Sequence, residues 1–339
     1  MVGIGRIRYA GLILLAACMG RETQSEPELI VGPTMGTQYH IKYWYPEPRG
    51  EFTRGFLQTE IEIVLEDEDR LFSTYREGSE ISRFNAHRSK EPMRVSKEFL
   101  PVLKAALELA ARSGGAYDPT VMPLVRLHGF GPDQRGEVDA AAIAAVREHI
   151  GYRKVTILGE YLEKRDVELE LDLSSIAKGH AVDRVAEHLQ RIGIDHCMVE
   201  IGGEVRCIGG KANGDPWRIG IEIPVPEPGS EKRYQQEIEI IDGAMATSGD
   251  YRNRRDTSAG SIHHIFDPRS GENADNQVLS VSVRAKSCMI ADALATALMV
   301  LGPEAAVELC DAYPEQELQV LFLLSGEGGN IQEHGIRWQ

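Results

Sequence analysis

At 339 residues, 42% of them hydrophobic and 26% charged, the chain is long enough for one large or two ordinary domains around a buried core. Its formal net charge of −15 argues against nonspecific nucleic-acid binding, which needs clustered Lys and Arg, and leaves room for a local basic pocket. The five cysteines form no CxxC pair, which speaks against a zinc or thioredoxin-like centre.

In chain order, the first element is a targeting segment. Arg6 and Arg8 precede an apolar run over residues 9–17 that is too short to span a bilayer stably. The run ends Leu15-Ala16-Ala17-Cys18 and resembles a bacterial lipoprotein signal, in which cleavage leaves Cys18 as a lipidated N-terminus. A signal peptide with an incidental cysteine is the plainer alternative. Met19 rather than Asp follows Cys18, so the usual inner-membrane retention cue is missing. With residues 1–17 as signal, 18–29 reads as a polar tether and 30–339 as the folded domain.

Residues 31–45 read as a strand with an early turn at Met35-Gly36-Thr37, and 55–71 as a helix. The run Glu66-Asp67-Glu68-Asp69 on that helix reads as a solvated face, since it lacks EF-hand spacing. A turn-rich stretch over 73–85 precedes a helix over 97–113, which Gly114-Gly115 ends before a turn at Ala116-Tyr117-Asp118-Pro119. A helix over 139–150 and strands over 155–158 and 167–171 follow. Ala181, Val182, Val185, Ala186, Leu189 and Ile192 then mark a helix that stops at Gly193. A hairpin pairs 197–201 with 204–208 around Gly202-Gly203. Further strands fall at 217–223, 236–241, 243–247, 280–284 and 318–324, with a helix over 289–301. No steady βαβ rhythm emerges, so the pattern predicts an α+β fold. Cys197, Cys207, Cys288 and Cys310 read as buried thiols, although an exported chain permits a Cys197–Cys207 bond.

Leu171-Asp172-Leu173-Ser174-Ser175-Ile176-Ala177-Lys178-Gly179 stands where an alternating run turns into a helix. Backbone N–H groups at a helix start favour an anion, and Lys178 adds a full positive charge. Equally, Ser174 or Ser175 could cap the helix and Lys178 could be solvated. Nucleotide-binding glycine fingerprints are absent. On the helix over 289–301, Asp292 and Thr296 lie four apart and share a face otherwise made of Ala, Leu, Met and Val. A charged Asp there needs a partner, and the two oxygens suit a hard cation such as Mg²⁺. The alternative is that Asp292 caps the helix while Thr296 bonds back into the preceding turn. His263-His264 precede a turn at Asp267-Pro268-Arg269-Ser270-Gly271; either could serve as a general base or be structural.

Taken together, an ordered set of motifs is similar to the FAD:protein FMN transferase, or ApbE, family of flavin-transferring lipoproteins. It comprises Met35-Gly36-Thr37, Leu71-Phe72-Ser73-Thr74-Tyr75, Gly114 through Val121, Leu127-His128-Gly129-Phe130-Gly131, Asp172 through Gly179 with Asp183, and Gly202-Gly203. It closes with Ala246-Thr247-Ser248-Gly249, His264 through Gly271, and Ala291-Asp292 with Thr296. The resemblance implies one domain of mixed sheets and helices, T-fold-like. It implies FAD contacts from Met35, Tyr75, Ala116, Tyr117, Asp118, Asp172, Lys178 and Phe266. It implies Mg²⁺ ligation by the Ser175 carbonyl and the Asp292 and Thr296 side chains, with His264 as general base. Some members carry a second Asp before the metal-binding Thr, where this chain has Ala295.

The implied reaction moves the FMN half of FAD onto a Thr or Ser hydroxyl of an acceptor protein carrying a Ser/Thr-Gly-Ala-Thr type segment, and releases AMP. The expected setting is the bacterial cell envelope, with the lipid on Cys18 holding the domain to a membrane on its periplasmic side. An FAD pyrophosphatase giving FMN and AMP, or a lipoprotein that only binds FAD, are the alternatives the same residues allow.

Overall fold

Met35 and Gly36 take positive φ, 47° and 72°, and so form the tight turn that suits two strands of right-handed twist. The strands are β1 (Glu28–Thr34) and β2 (Thr37–Tyr43), paired antiparallel with Thr34 opposite Thr37. The computed structural model describes residues 26–45, 53–130, 138–224, 234–249, 254–257, 260–274, 276–326, 328 and 330–338. The expected signal over 1–17 and Cys18 lie outside the described residues. The expected tether over 18–29 overlaps the folded part at its end, since Glu28 pairs with Tyr43 in the sheet.

The chain continues through α1 (Arg54–Phe72), α2 (Glu80–Ala86), β3 (Met93–Arg94), α3 (Phe99–Arg112), α4 (Met122–Leu127) and α5 (Ala140–Arg147). Next come β4 (Val155–Leu158), β5 (Tyr161–Lys164), α6 (Ser174–Arg191), β6 (Cys197–Ile201), β7 (Glu204–Ile208), β8 (Trp217–Glu222) and β9 (Tyr234–Ile240). The last are β10 (Gly243–Gly249), β11 (Arg254–Thr257), β12 (Gly260–His263), β13 (Val278–Ala285), α7 (Cys288–Leu301), α8 (Ala306–Asp311), β14 (Gln319–Ser325) and β15 (Ile331–Ile336). Eight strands form one antiparallel sheet in the order β1-β2-β6-β7-β10-β13-β14-β15. This is an α+β architecture. Leu57 and Ile61 of α1 and Val182 and Val185 of α6 pack on Tyr39, Ile41 and Val199 of one sheet face. On the other face the β8–β9 hairpin brings Trp217, Ile219 and Ile240 against Val205, Met245 and Leu321. Among the described residues, no helix is long and apolar enough to cross a membrane.

The expected strand over 167–171 does not form. Leu169, Leu171 and Leu173 are buried and alternate as read, but the backbone is tied to a side chain instead of a ladder. Asn85 Oδ1 accepts the Leu171 N–H at 2.7 Å, and Asn85 Nδ2 donates to the Leu171 carbonyl at 2.8 Å. The turn-rich stretch over 73–85 contains α2, capped by Ser79 Oγ on the Ser82 N–H. The acidic run of α1 is not wholly solvated. Glu68 is fully buried and lies 2.8 Å from His180 Nδ1 of α6. All four described cysteines are free and buried, so the Cys197–Cys207 bond is not made.

The helices α6 and α7 are joined at two points. The Asp183 carboxylate caps α7 from outside: it accepts the N–H groups of Cys288 and Met289 at 3.0 Å each and the Ser287 hydroxyl at 2.7 Å. Ser287 itself is the N-cap, its hydroxyl accepting the Ile290 N–H. Asp183→Ala leaves donors at a buried helix start without acceptors. We expect a loss of roughly 2–4 kcal/mol of stability, read from urea unfolding.

Candidate functional site

The second junction is Gly179. A Cβ built there would lie 2.3 Å from the Cys288 carbonyl oxygen and 2.8 Å from Asp292 Cβ. Only glycine lets the helices approach this closely. The approach brings the Gly179 N–H to Asp292 Oδ2 at 2.9 Å. Asp292 is 3% exposed. Burial raises its pKa above the usual carboxylate value, against the opposing pull of the Lys178 charge and the Gly179 N–H. Asp292 therefore does not cap α7; it lies a full turn inside the helix. Nor is a bond back into its own helix the contact of Thr296: Oγ1 lies 3.1 Å from Ser248 Oγ of β10.

At the start of α6 neither serine hydroxyl is the cap; Leu173 holds the cap position without a side-chain bond. Asp172 Oδ1 accepts the Ser174 N–H at 2.8 Å, while the Asp172 N–H donates to the Pro119 carbonyl at 2.7 Å. That second bond pulls the 116–120 turn onto the helix start. Ser175 Oγ then donates to the buried Tyr117 hydroxyl at 3.1 Å. Burial pushes the Tyr117 phenol well above its ordinary pKa, so it stays neutral. Asp118 is also spent on structural bonds: it accepts the Thr120 N–H and hydroxyl within its own loop and the Tyr152 N–H from a segment 34 residues on. Lys178 reaches across to β7, with Nζ 2.8 Å from Glu204 Oε2.

A second set of site residues sits on the loop after β12. Phe266 stacks on His128 with ring centroids 4.4 Å apart, and Phe130 tilts against both Phe266 and His264 at 5.9 and 6.3 Å. Asn273 Nδ2 donates to the carbonyls of His263 and Ile265, which holds this loop shut. Ile265 belongs to the same apolar cluster as Tyr117, Ala177 and Ala291, and so joins the two sets. Ala295 is fully buried in that cluster too. Tyr75 is 73% exposed, and Met35 packs partly against both larger clusters. Among the described residues no group of three His, Cys, Asp or Glu side chains gathers as a metal cluster. The oxygen set of Asp292, Thr296 and Ser175 is not of that kind.

Sequence reading missed Glu204, Asn85 and Asn273. Glu204 directly follows Gly202-Gly203 in a hairpin that was recognised, and its place after the turn was the available signal. The two asparagines act through backbone groups distant in sequence and left no local sign.

A family model described as the ApbE family matches residues 35–322. This chain belongs to the ApbE family. A protein of Vibrio cholerae named FAD:protein FMN transferase is 45% identical over 95% of this chain and 94% of its own length. One of the same name from Haemophilus influenzae is 37% identical over 96% and 94%. The solved flavin transferase ApbE from Vibrio cholerae superposes with a TM-score of 0.82 at 44% identity, covering 91% of this chain and 97% of that one.

The segment that leads into this ApbE site is anchored by Lys164, which is 1% exposed and donates to the Leu169 carbonyl at 3.0 Å. Burial lowers its pKa from 10.5 to about 8. Below pH 8 the ammonium is charged in both folded and unfolded chains, and its burial costs stability. Between 8 and 10.5 the folded chain sheds the proton first, so stability rises with pH. Unfolding of Lys164→Met followed across that window should lack this rise. Gly179→Ala forces α6 and α7 apart and should cost about 1–3 kcal/mol, read as a lowered denaturation midpoint.

Proposed function

We propose that this ApbE protein transfers the FMN half of FAD to a Thr or Ser hydroxyl of an acceptor protein and releases AMP. The observation that carries the reading is the buried Asp292 carboxylate held against the Lys178–Gly179 turn of α6, in a chain 45% identical to a FAD:protein FMN transferase. The donor set fits Mg²⁺: a carboxylate from Asp292, a hydroxyl from Thr296 and a carbonyl from Ser175, all hard oxygens. The Gly179 N–H donates to Asp292 Oδ2 at 2.9 Å, which holds that carboxylate against the first turns of α6, four residues on from Ser175. When bound, the cation draws charge from the diphosphate oxygens.

The chain's own groups do the rest. Lys178 brings an ammonium to the diphosphate at the start of α6. Tyr117, Ala116, Met35, Tyr75 and Phe266 contact FAD, and Asp118 and Asp172 shape that pocket through the backbone groups they hold. His264 accepts the proton of the incoming hydroxyl. Its oxygen bonds to the FMN-side phosphorus as the bond from that phosphorus to the bridging oxygen breaks, and AMP leaves with the electron pair.

Acceptors carry a Ser/Thr-Gly-Ala-Thr type segment. The mature protein is a lipoprotein anchored through Cys18 in the cell envelope, facing the periplasm. The test is incubation with FAD, Mg²⁺ and such an acceptor, followed by mass measurement: an increase equal to FMN is expected. His264→Ala should keep FAD binding and slow transfer by roughly 10²–10⁴-fold. Transfer at the original rate would remove His264 from this role.

A further inference from the structure

Glu204 is the first residue of β7, directly after the Gly202-Gly203 turn, and its side chain is only 2% exposed. A Cβ built on Gly202 would lie 3.0 Å from the Thr37 side chain and 3.6 Å from Glu204 Oε2. The β6–β7 and β1–β2 turns therefore close around this carboxylate. A buried carboxylate is costly unless paired, and Lys178 Nζ supplies the pair at 2.8 Å. The same Lys178 acts on Asp292 through its charge. One ammonium thus contacts Glu204 and lies within the field of Asp292, whose carboxylate is held by the N–H of the next residue, Gly179. A lysine side chain is a flexible stem with a point charge at its end, so its ammonium can re-pair when one partner loses its charge.

We propose that Glu204 is a positioning residue that holds the Lys178 ammonium off Asp292, so that the Asp292 carboxylate remains available to a divalent cation. This rests on the cation reading given above for Asp292, Thr296 and Ser175. Without the Glu204 charge, the buried Asp292 carboxylate, whose field Lys178 already shares, draws the ammonium. An ion pair formed there competes directly with a metal for the same oxygens. A residue that only stabilised the β6–β7 turn would change the melting temperature and leave metal affinity alone.

The experiment titrates the purified protein with Mn²⁺ alone, without FAD, and follows free Mn²⁺ by electron paramagnetic resonance. Glu204→Gln should weaken Mn²⁺ binding about tenfold, the size of coupling seen between contacting charged groups. Adding Lys178→Met to Glu204→Gln should restore affinity to within about threefold of the unaltered protein, since the competing ammonium is gone. A folded Glu204→Gln protein that binds Mn²⁺ as the unaltered one does would overturn the proposal. So would a double variant no better than Glu204→Gln. If Glu204→Gln does not fold, Lys178→Met alone is titrated instead: with the competing ammonium gone it should bind Mn²⁺ no more weakly than the unaltered protein, and weaker binding would overturn the proposal. Failure of the unaltered protein to take up Mn²⁺ would remove the cation reading itself, an outcome distinct from unchanged affinity in the variants.

Discussion

The close crossing of α6 and α7 at Gly179 is the contact on which the site depends. One missing Cβ lets the α7 start lie against the α6 backbone, with 2.3 Å between the Cys288 carbonyl and the place a methyl would occupy. From that approach follow the Asp292–Gly179 hydrogen bond and the reach of the Lys178 charge to Asp292. Asp183, one helical turn further along α6, fixes the register by capping α7. The strands β10 and β13 beneath α7 and β6 and β7 beneath α6 are neighbours in a single sheet, so the pair of helices rests on a rigid floor. Sites on such elements keep their geometry better than sites on loops.

The electrostatics follow from this packing. Asp292 is buried with a backbone N–H and the field of one lysine, and burial raises its pKa against the opposing pull of both. Lys178 is divided, because its contact is with Glu204. A cluster short of positive charge in a low-dielectric place is where a hard cation gains most. Tyr117, kept neutral by burial, can give or accept a hydrogen bond there without adding charge.

Much of the fold was legible because it rests on local patterns. The hairpin over 197–208, the helices that became α6 and α7, and the Gly193 stop of the first all follow from periodicity and turn chemistry. The segment over 167–171 shows where that legibility ends. Its alternation correctly marked which leucines are buried, yet a side chain 86 residues distant, Asn85, took the place of a neighbouring strand. Glu68 is a parallel case: its helical neighbours Glu66, Asp67 and Asp69 pair with exposed arginines, while it turns inward to His180. Which member of an acidic run faces inward is set by α6 packing on α1, not by the run. The pairing of Asp292 with Gly179 across 113 residues is likewise tertiary, although the need of a buried Asp for some partner was readable.

The site has two halves of different construction, and their division matches two demands of phosphoryl transfer. The half on α6 and α7 holds the charged groups, where small displacements change electrostatic energy steeply. The half on the loop over 263–273 holds His264 and Phe266, and its shape is set by one side chain, Asn273, and by aromatic contacts with Phe130 and His128. Stacked rings can shift with modest loss, whereas a buried carboxylate cannot leave its donors cheaply. Under the proposed reaction the charged half would face the diphosphate, and the aromatic half, with His264, would face the incoming acceptor hydroxyl.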